Sequence, residues 1–227
     1  METHLMLPDM IQKSIEQMLL KTHQNSYHDL LPKERLIFYN FVQELSDQTI
    51  ATTFFKWLSF LSASQVKFVW DESMLDNNFV SEILKTVEGI LLKRLDLVDT
   101  TDRRELFYNA VGGIYEETAP RPRAAMEAAY LSLQLVSNAK SFQDYNIKEI
   151  ERGFSDEIII SIGDFDVETF AVLAYSGFNY DFEYREDDSD NNMSNFDSQK
   201  RLEFWKWWLT EAIPQAWELA QETYKPQ

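Results

Sequence analysis

The sequence contains no cysteine and few of the residues that interrupt helices. Without cysteine the chain can form no disulfide, no thiolate metal site and no cysteine nucleophile. Only six glycines and six prolines stand among its 227 residues, which argues against a β-rich architecture with many turns. A hydrophobic content of 44% is typical of a folded chain, so we expect an all-α protein with a substantial core.

The sequence also lacks a long uncharged apolar run and an excess of basic side chains. No segment approaches the roughly 18 apolar residues of a membrane helix, and Asp9, Lys13 and Glu16 interrupt the N-terminal apolar positions, unlike a secretory signal. The formal charge of −17 repels nucleic-acid phosphates and attracts basic proteins. We therefore expect a cytoplasmic protein that binds neither membranes nor nucleic acids directly.

Motifs for catalysis, metals and cofactors are missing as well. The three histidines, all near the N-terminus, lack the helical spacing of metal ligands. Gly112–Gly113 is not followed by the lysine and hydroxyl residue of a phosphate-binding loop, and no G-x-S-x-G or H-E-x-x-H sequence is present. We predict no catalytic residue, no metal and no cofactor, and hence a protein that is not an enzyme.

Apolar positions repeat with helical spacing along most of the chain. We expect about eight to ten helices in a bundle that forms a single domain over residues 1–227. Two segments are ambiguous between strand and helix. We favour helix for residues 65–71, and residues 158–162 form a β-branched run without an obvious strand to pair with.

Short polar residues predict where two of these helices begin. Ser46 or Asp47 is expected to cap a helix that starts at residue 48, because their side chains can accept from the first free amides. Asp164 or Asp166 is expected to cap a second helix, which ends at Gly177, since glycine is the usual residue after a helix C-terminus.

The last helix, residues 198–224, carries four of the six tryptophans. Trp207 falls outside its apolar face, so we predict that it contributes to a binding surface, since tryptophan is enriched in interface hot spots. Pro214 has no amide to donate to Thr210, and we expect a kink or short break there. The apolar face recurs at three- and four-residue steps, at Leu202, Trp205, Leu209, Ala212, Ile213, Ala216 and Leu219.

An acid-rich stretch, residues 179–197, precedes the last helix. We expect a mobile acidic loop, because six acidic side chains stand there before Asp197 with Arg185 as the one basic residue. The stretch lacks the glycine and the final glutamate of an EF-hand loop, which excludes that calcium site. Together with Trp207, its acidic residues form the predicted partner-binding site: Asp181, Glu183, Glu186, Asp187, Asp188 and Asp190.

Two segments resemble a known family. FWKWWLTEAIPQAW (204–217) and PRAAMEAAYLSLQL (122–135) are similar to the helical immunity proteins of bacterial polymorphic toxin systems, several of which end in a helix of the form F-W-x-W-x-L-x-x-A-I-P-x-A-W. The resemblance implies a non-catalytic protein that binds and neutralises a cognate toxin domain. If that domain is a nuclease, its basic substrate-binding face would accept the acidic loop. The matching residues are Phe204, Trp205, Trp207, Leu209, Ala212, Ile213, Pro214, Ala216 and Trp217.

Two other classes of function are compatible with the residues. An enzyme or ligand-binding protein would have a pocket between helices with aromatic walls, and a co-purifying ligand would indicate it. A regulatory or self-assembling helical protein would form a stable oligomer in light scattering. The sequence does not define the oligomeric state.

Overall fold

A computed structural model describes residues 7–25, 28–96, 105, 107, 109, 118–137, 166–177 and 196–224. The regular structure in these residues is entirely helical, which confirms the predicted all-α fold. Residues 158–162 lie outside the described residues, and the single domain over 1–227 stays a prediction. The helices are α1 (Asp9–Gln24), α2 (Pro32–Leu45), α3 (Gln48–Gln65), α4 (Lys67–Ser73), α5 (Phe79–Leu91), α6 (Pro120–Ser137), α7 (Val167–Ser176), α8 (Ser198–Trp207) and α9 (Ile213–Tyr224).

The predicted helix starts and the helical interpretation of residues 65–71 are confirmed. Asp47 caps α3 by accepting from the Thr49 amide (2.8 Å), and Asp166 caps α7 by accepting from the Thr169 amide (2.8 Å). α3 ends at Gln65 and α4 begins at Lys67 after a single turn residue. The short side-chain acceptors thus define where the chain enters these helices.

α6 lies at the centre of the described helices and packs against α3, α4, α5 and α7. Its alanines at positions 124, 125, 128 and 129 are fully buried. Because the distance between packed helices depends on the side chains at the contact, these small residues allow close approach on several sides. α3 lies beside α6 and also contacts α9, so the last helix closes the same core.

The last helix is continuous from α8 to α9 through a π-helical turn, Trp208–Ala212. The Ile213 amide donates to the Trp208 carbonyl oxygen, five residues back. Pro214 is the second residue of α9, directly after this turn. The kink or break expected at Pro214 is therefore a π turn, and the helix continues through it. π turns of this kind are found where an α-helix is locally widened.

The π turn has a packing consequence. The buried side chains of this helix stand four residues apart in two rows, and an α-helix completes a turn in 3.6 residues, so such rows would wrap around it. A wider turn takes up part of that rotation and keeps both rows facing the core. The rows are Phe204, Trp208, Ala212, Ala216 and Ala220, and Arg201, Trp205, Leu209, Ile213 and Trp217.

Candidate partner-binding site

The two ends of the acidic stretch lie together. Gly177 follows α7, and the Asp197 amide donates to the Ser176 carbonyl oxygen (2.8 Å). Asp197 is also the N-cap of α8, where its carboxylate accepts from the Lys200 amide (3.0 Å). The segment between them therefore begins and ends at one place, which we name the neck: Ser176, Gly177, Phe196 and Asp197.

The predicted acidic binding residues belong to that intervening segment, and their part in binding stays a prediction. Trp207, the other predicted residue, is half-buried at the end of α8 and contacts Phe204, with ring centroids 5.6 Å apart. The acidic residues, which lie outside the described part of the chain, are Asp181, Glu183, Glu186, Asp187, Asp188 and Asp190.

The buried Arg201 side chain contacts three of the four residues of the neck. Its side chain is 1% exposed. Nε donates to Ser176 Oγ (3.1 Å) and Nη2 to the Gly177 carbonyl oxygen (3.2 Å). The guanidinium also lies over the Phe196 ring, 4.7 Å from its centroid, and Nη1 donates to Asp29 (3.1 Å). One buried cation thus contacts both ends of the acidic segment, while Asp29 supplies the balancing charge.

A second buried arginine continues this network. Arg35 donates to both carboxylate oxygens of Asp166 (2.8 and 2.9 Å) and lies over the Trp205 ring, 5.0 Å from its centroid. The Trp205 indole donates to Asp29 (2.7 Å), which links the two arginines. Burial alone would lower the pKa of Arg35, but the attraction of Asp166 and of Tyr39 outweighs it and raises that pKa.

Glu168 is the most deeply buried carboxyl group near this network, 3% exposed. Ser62 Oγ donates to its Oε1 (3.3 Å). Burial, together with the Asp166 carboxylate, raises the pKa of Glu168 to about 7, although its backbone hydrogen bond, Arg35 and Tyr39 act in the opposite direction. Asp166 is therefore the carboxylate that pairs with Arg35, and Glu168 keeps its proton in mildly acidic solution.

Four aromatic side chains contact one another in sequence from α4, through α7, to the end of α8. The ring centroids of Phe68 and Tyr175 are 6.0 Å apart, those of Tyr175 and Phe204 are 5.8 Å apart, and Trp207 follows Phe204. We name this set the aromatic row: Phe68, Tyr175, Phe204 and Trp207. Tyr175 immediately precedes the neck, so the row and the ends of the acidic segment are neighbours.

The neck depends on glycine at position 177. Gly177 has φ 79° and ψ 178°, a region that only glycine adopts without strain. We expect Gly177→Ala to lower the free energy of unfolding by about 2 kcal/mol, measured by urea denaturation. An alanine variant as stable as the wild type would contradict the described geometry of the neck.

A comparison with protein families matches residues 15–215 to Immunity protein Imm5. The chain belongs to this family. The match covers most of the sequence and confirms the resemblance to helical immunity proteins. No curated protein matches the chain.

Membership of the Imm5 family assigns the chain to proteins that neutralise toxins. Within the described ranges, no helix has the length and apolar content needed to cross a bilayer. In the same part of the chain, no cluster of three or more histidine and acidic side chains is arranged to hold a metal ion. The candidate site of this Imm5 chain is the surface at the neck, next to the buried ion pairs of Arg35 with Asp166 and of Arg201 with Asp29.

The buried residues whose ion pairs and hydrogen bonds support this surface were not identified from the sequence. Asp29, Arg35 and Arg201 belong to no recognisable motif, because their partners are up to 176 positions away in the chain. Arg201 did carry one usable signal. It stands four residues before Trp205, so the buried row of the last helix, extended backwards, places its side chain in the core.

Proposed function

We propose that this Imm5 family member binds a cognate toxin domain directly and neutralises it without catalysing a reaction. The family match over residues 15–215 carries the proposal. The neck supports it, because the sequence of the segment that begins and ends there contains six carboxylates, and Tyr175 of the aromatic row directly precedes the neck. We also propose that the protein acts in the cytoplasm and does not bind nucleic acid itself.

A nuclease is the toxin class that the charge of the chain fits best. Nucleases bind phosphates through basic surfaces, and carboxylates on a chain with a net charge of −17 can occupy those surfaces instead. Attraction of this kind accelerates association and weakens as the salt concentration rises. The partner is therefore expected to carry a basic domain.

Neutralisation is tested with the toxin itself. The tagged chain is recovered from native lysate at low salt, the co-purifying protein is identified by mass spectrometry, and its toxin domain is purified. We expect the purified chain to form a stoichiometric complex with that domain and to abolish its activity in vitro, and co-expression to restore growth. A domain that stays fully active with excess chain present would overturn the proposal.

The acidic segment is tested by neutralising three of its charges. We expect Asp187→Asn, Asp188→Asn and Asp190→Asn together to slow association with the toxin domain about 10-fold at low salt and to reduce the dependence of the rate on salt. Stopped-flow or surface-plasmon measurements at several salt concentrations supply both quantities.

A matched control separates local charge from total charge. Glu16, Glu44 and Glu88 are exposed on α1, α2 and α5, and their replacement by glutamine changes the net charge by the same amount. We expect this control to alter the association rate no more than about 3-fold, since distant exposed charges are screened. Equal effects of the two triple variants would exclude the acidic segment as the docking element.

A further inference from the structure

Three rings of the aromatic row reach the surface, those of Phe68, Tyr175 and Trp207. Phe68 is 42% exposed, whereas the next two residues of α4, Val69 and Trp70, are 4% and 0% exposed. Tyr175 and Trp207 are half-buried. Aromatic side chains with one packed face and one free edge are typical of protein interfaces rather than of core positions.

The inner side of the aromatic row is also packed and hydrogen-bonded. Phe204 is 1% exposed and contacts the two half-buried rings on either side of it. Arg121 donates to the carbonyl oxygens of Ala174 (3.0 Å) and Tyr175 (3.2 Å). Because these groups are already ordered, binding a partner to them would cost little conformational entropy.

The charges beside the row indicate the chemistry of that partner. Glu72, Glu203 and Glu211 are exposed within one helical turn of Phe68, Phe204 and Trp207. Burial, and after it the nearby Glu203 carboxylate, raises the pKa of the Tyr175 hydroxyl. Aromatic faces next to carboxylates favour arginine and lysine side chains, which stack on the rings and pair with the acids.

The described charges alone are nearly balanced along these helices. Lys67 is paired with Asp71, while Lys200 and Lys206 are exposed. The segment joined at the neck is acidic in its sequence, which contains six carboxylates and one arginine. Both ends of that segment lie at the neck, where the Asp197 amide donates to the carbonyl oxygen of Ser176, the residue after Tyr175.

We infer that the aromatic row is the surface on which the toxin domain docks, with basic side chains of the toxin stacking on Phe68, Tyr175 and Trp207. The inference rests on the proposed function. It assigns different roles to two neighbouring parts of the chain. The acidic segment sets the association rate, and the row sets the lifetime of the complex.

Substitutions in the row test this division. With the toxin domain identified above as the probe, we expect Phe68→Ala and Trp207→Ala each to raise the dissociation rate about 30-fold, the effect of losing a hot spot. The salt dependence of association should stay that of the wild type. Trp207→Phe keeps a ring at this position and should restore most of the lifetime.

Exposed apolar residues on other helices provide the matched controls. Leu20 and Ile37 are 58% and 57% exposed, and we expect their alanine variants to dissociate within about 3-fold of the wild type. If the wild type neutralises the toxin and the row variants dissociate at the wild-type rate, the row is excluded and the proposed function stands. If the wild type binds no toxin domain, both proposals fail.

A second measurement does not depend on the stability of the alanine variants. A benzophenone amino acid placed at position 68 or 207 of the full chain should cross-link to the toxin domain on illumination, and one at position 20 or 37 should not. Cross-links from the control positions alone would place the interface elsewhere and overturn the inference.

Discussion

Replacing Arg35 with methionine is expected to lower the free energy of unfolding by about 3–5 kcal/mol, the range for removing one partner of a buried ion pair. The Arg35 side chain is 3% exposed and that of Asp166 is 11% exposed, so the remaining carboxylate would have little access to water. Arg35 also donates to the Leu30 carbonyl oxygen (2.6 Å) and to Thr169 Oγ1 (2.5 Å). Methionine fills much of the space but satisfies none of these acceptors.

The loss can be assigned to the ion pair with a double-mutant cycle. Asp166→Asn removes the charge and keeps a side chain that can still cap α7. We expect Arg35→Met with Asp166→Asn to cost less than the sum of the single changes, because the double variant leaves no unpaired buried charge. Arg94→Met, at an exposed arginine, serves as the control and should change stability by no more than about 0.5 kcal/mol. Additive effects in denaturant unfolding would show that the pair is not coupled.

The features that the sequence predicts correctly are local ones. Asp47 and Asp166 cap their helices because a short acceptor reaches amides two or three residues ahead, and Gly177 ends α7 because the backbone there needs a positive φ. Each of these interactions is contained within one helical turn. The all-α fold follows in the same way from apolar spacing within single helices.

The features that the sequence does not predict depend on distant partners or on a changed helical register. Arg35 meets Asp166 from 131 positions away, and no spacing rule connects them. In the last helix, the predicted face includes Leu202 and Leu219, which are only half-buried, and omits Trp208, which is fully buried. The π turn changes the angle between successive residues, so a regular helical projection assigns these positions wrongly.

Replacing Glu168 with glutamine is expected to make the protein more stable in alkaline solution. The folded pKa of about 7 lies above the value of about 4.3 for an unfolded glutamate. Between these values the folded chain holds a proton that the unfolded chain releases, so wild-type stability falls as pH rises through this window. The integrated loss is roughly 4 kcal/mol. Glutamine is neutral at every pH and does not contribute this loss.

The difference between the two unfolding curves isolates Glu168 from the other titrating groups. Near pH 4 the variant and the wild type should be about equally stable, because the folded wild type is protonated at this position and both side chains can accept from Ser62. Near pH 8 we expect Glu168→Gln to be more stable by roughly 4 kcal/mol, measured by urea denaturation across the range. Glu88→Gln, on the exposed face of α5, controls for the loss of one negative charge from an acidic chain. A constant difference from pH 4 to pH 8 would mean that Glu168 titrates alike in the folded and unfolded chains, and that the Arg35 guanidinium is sufficient to balance both carboxylates.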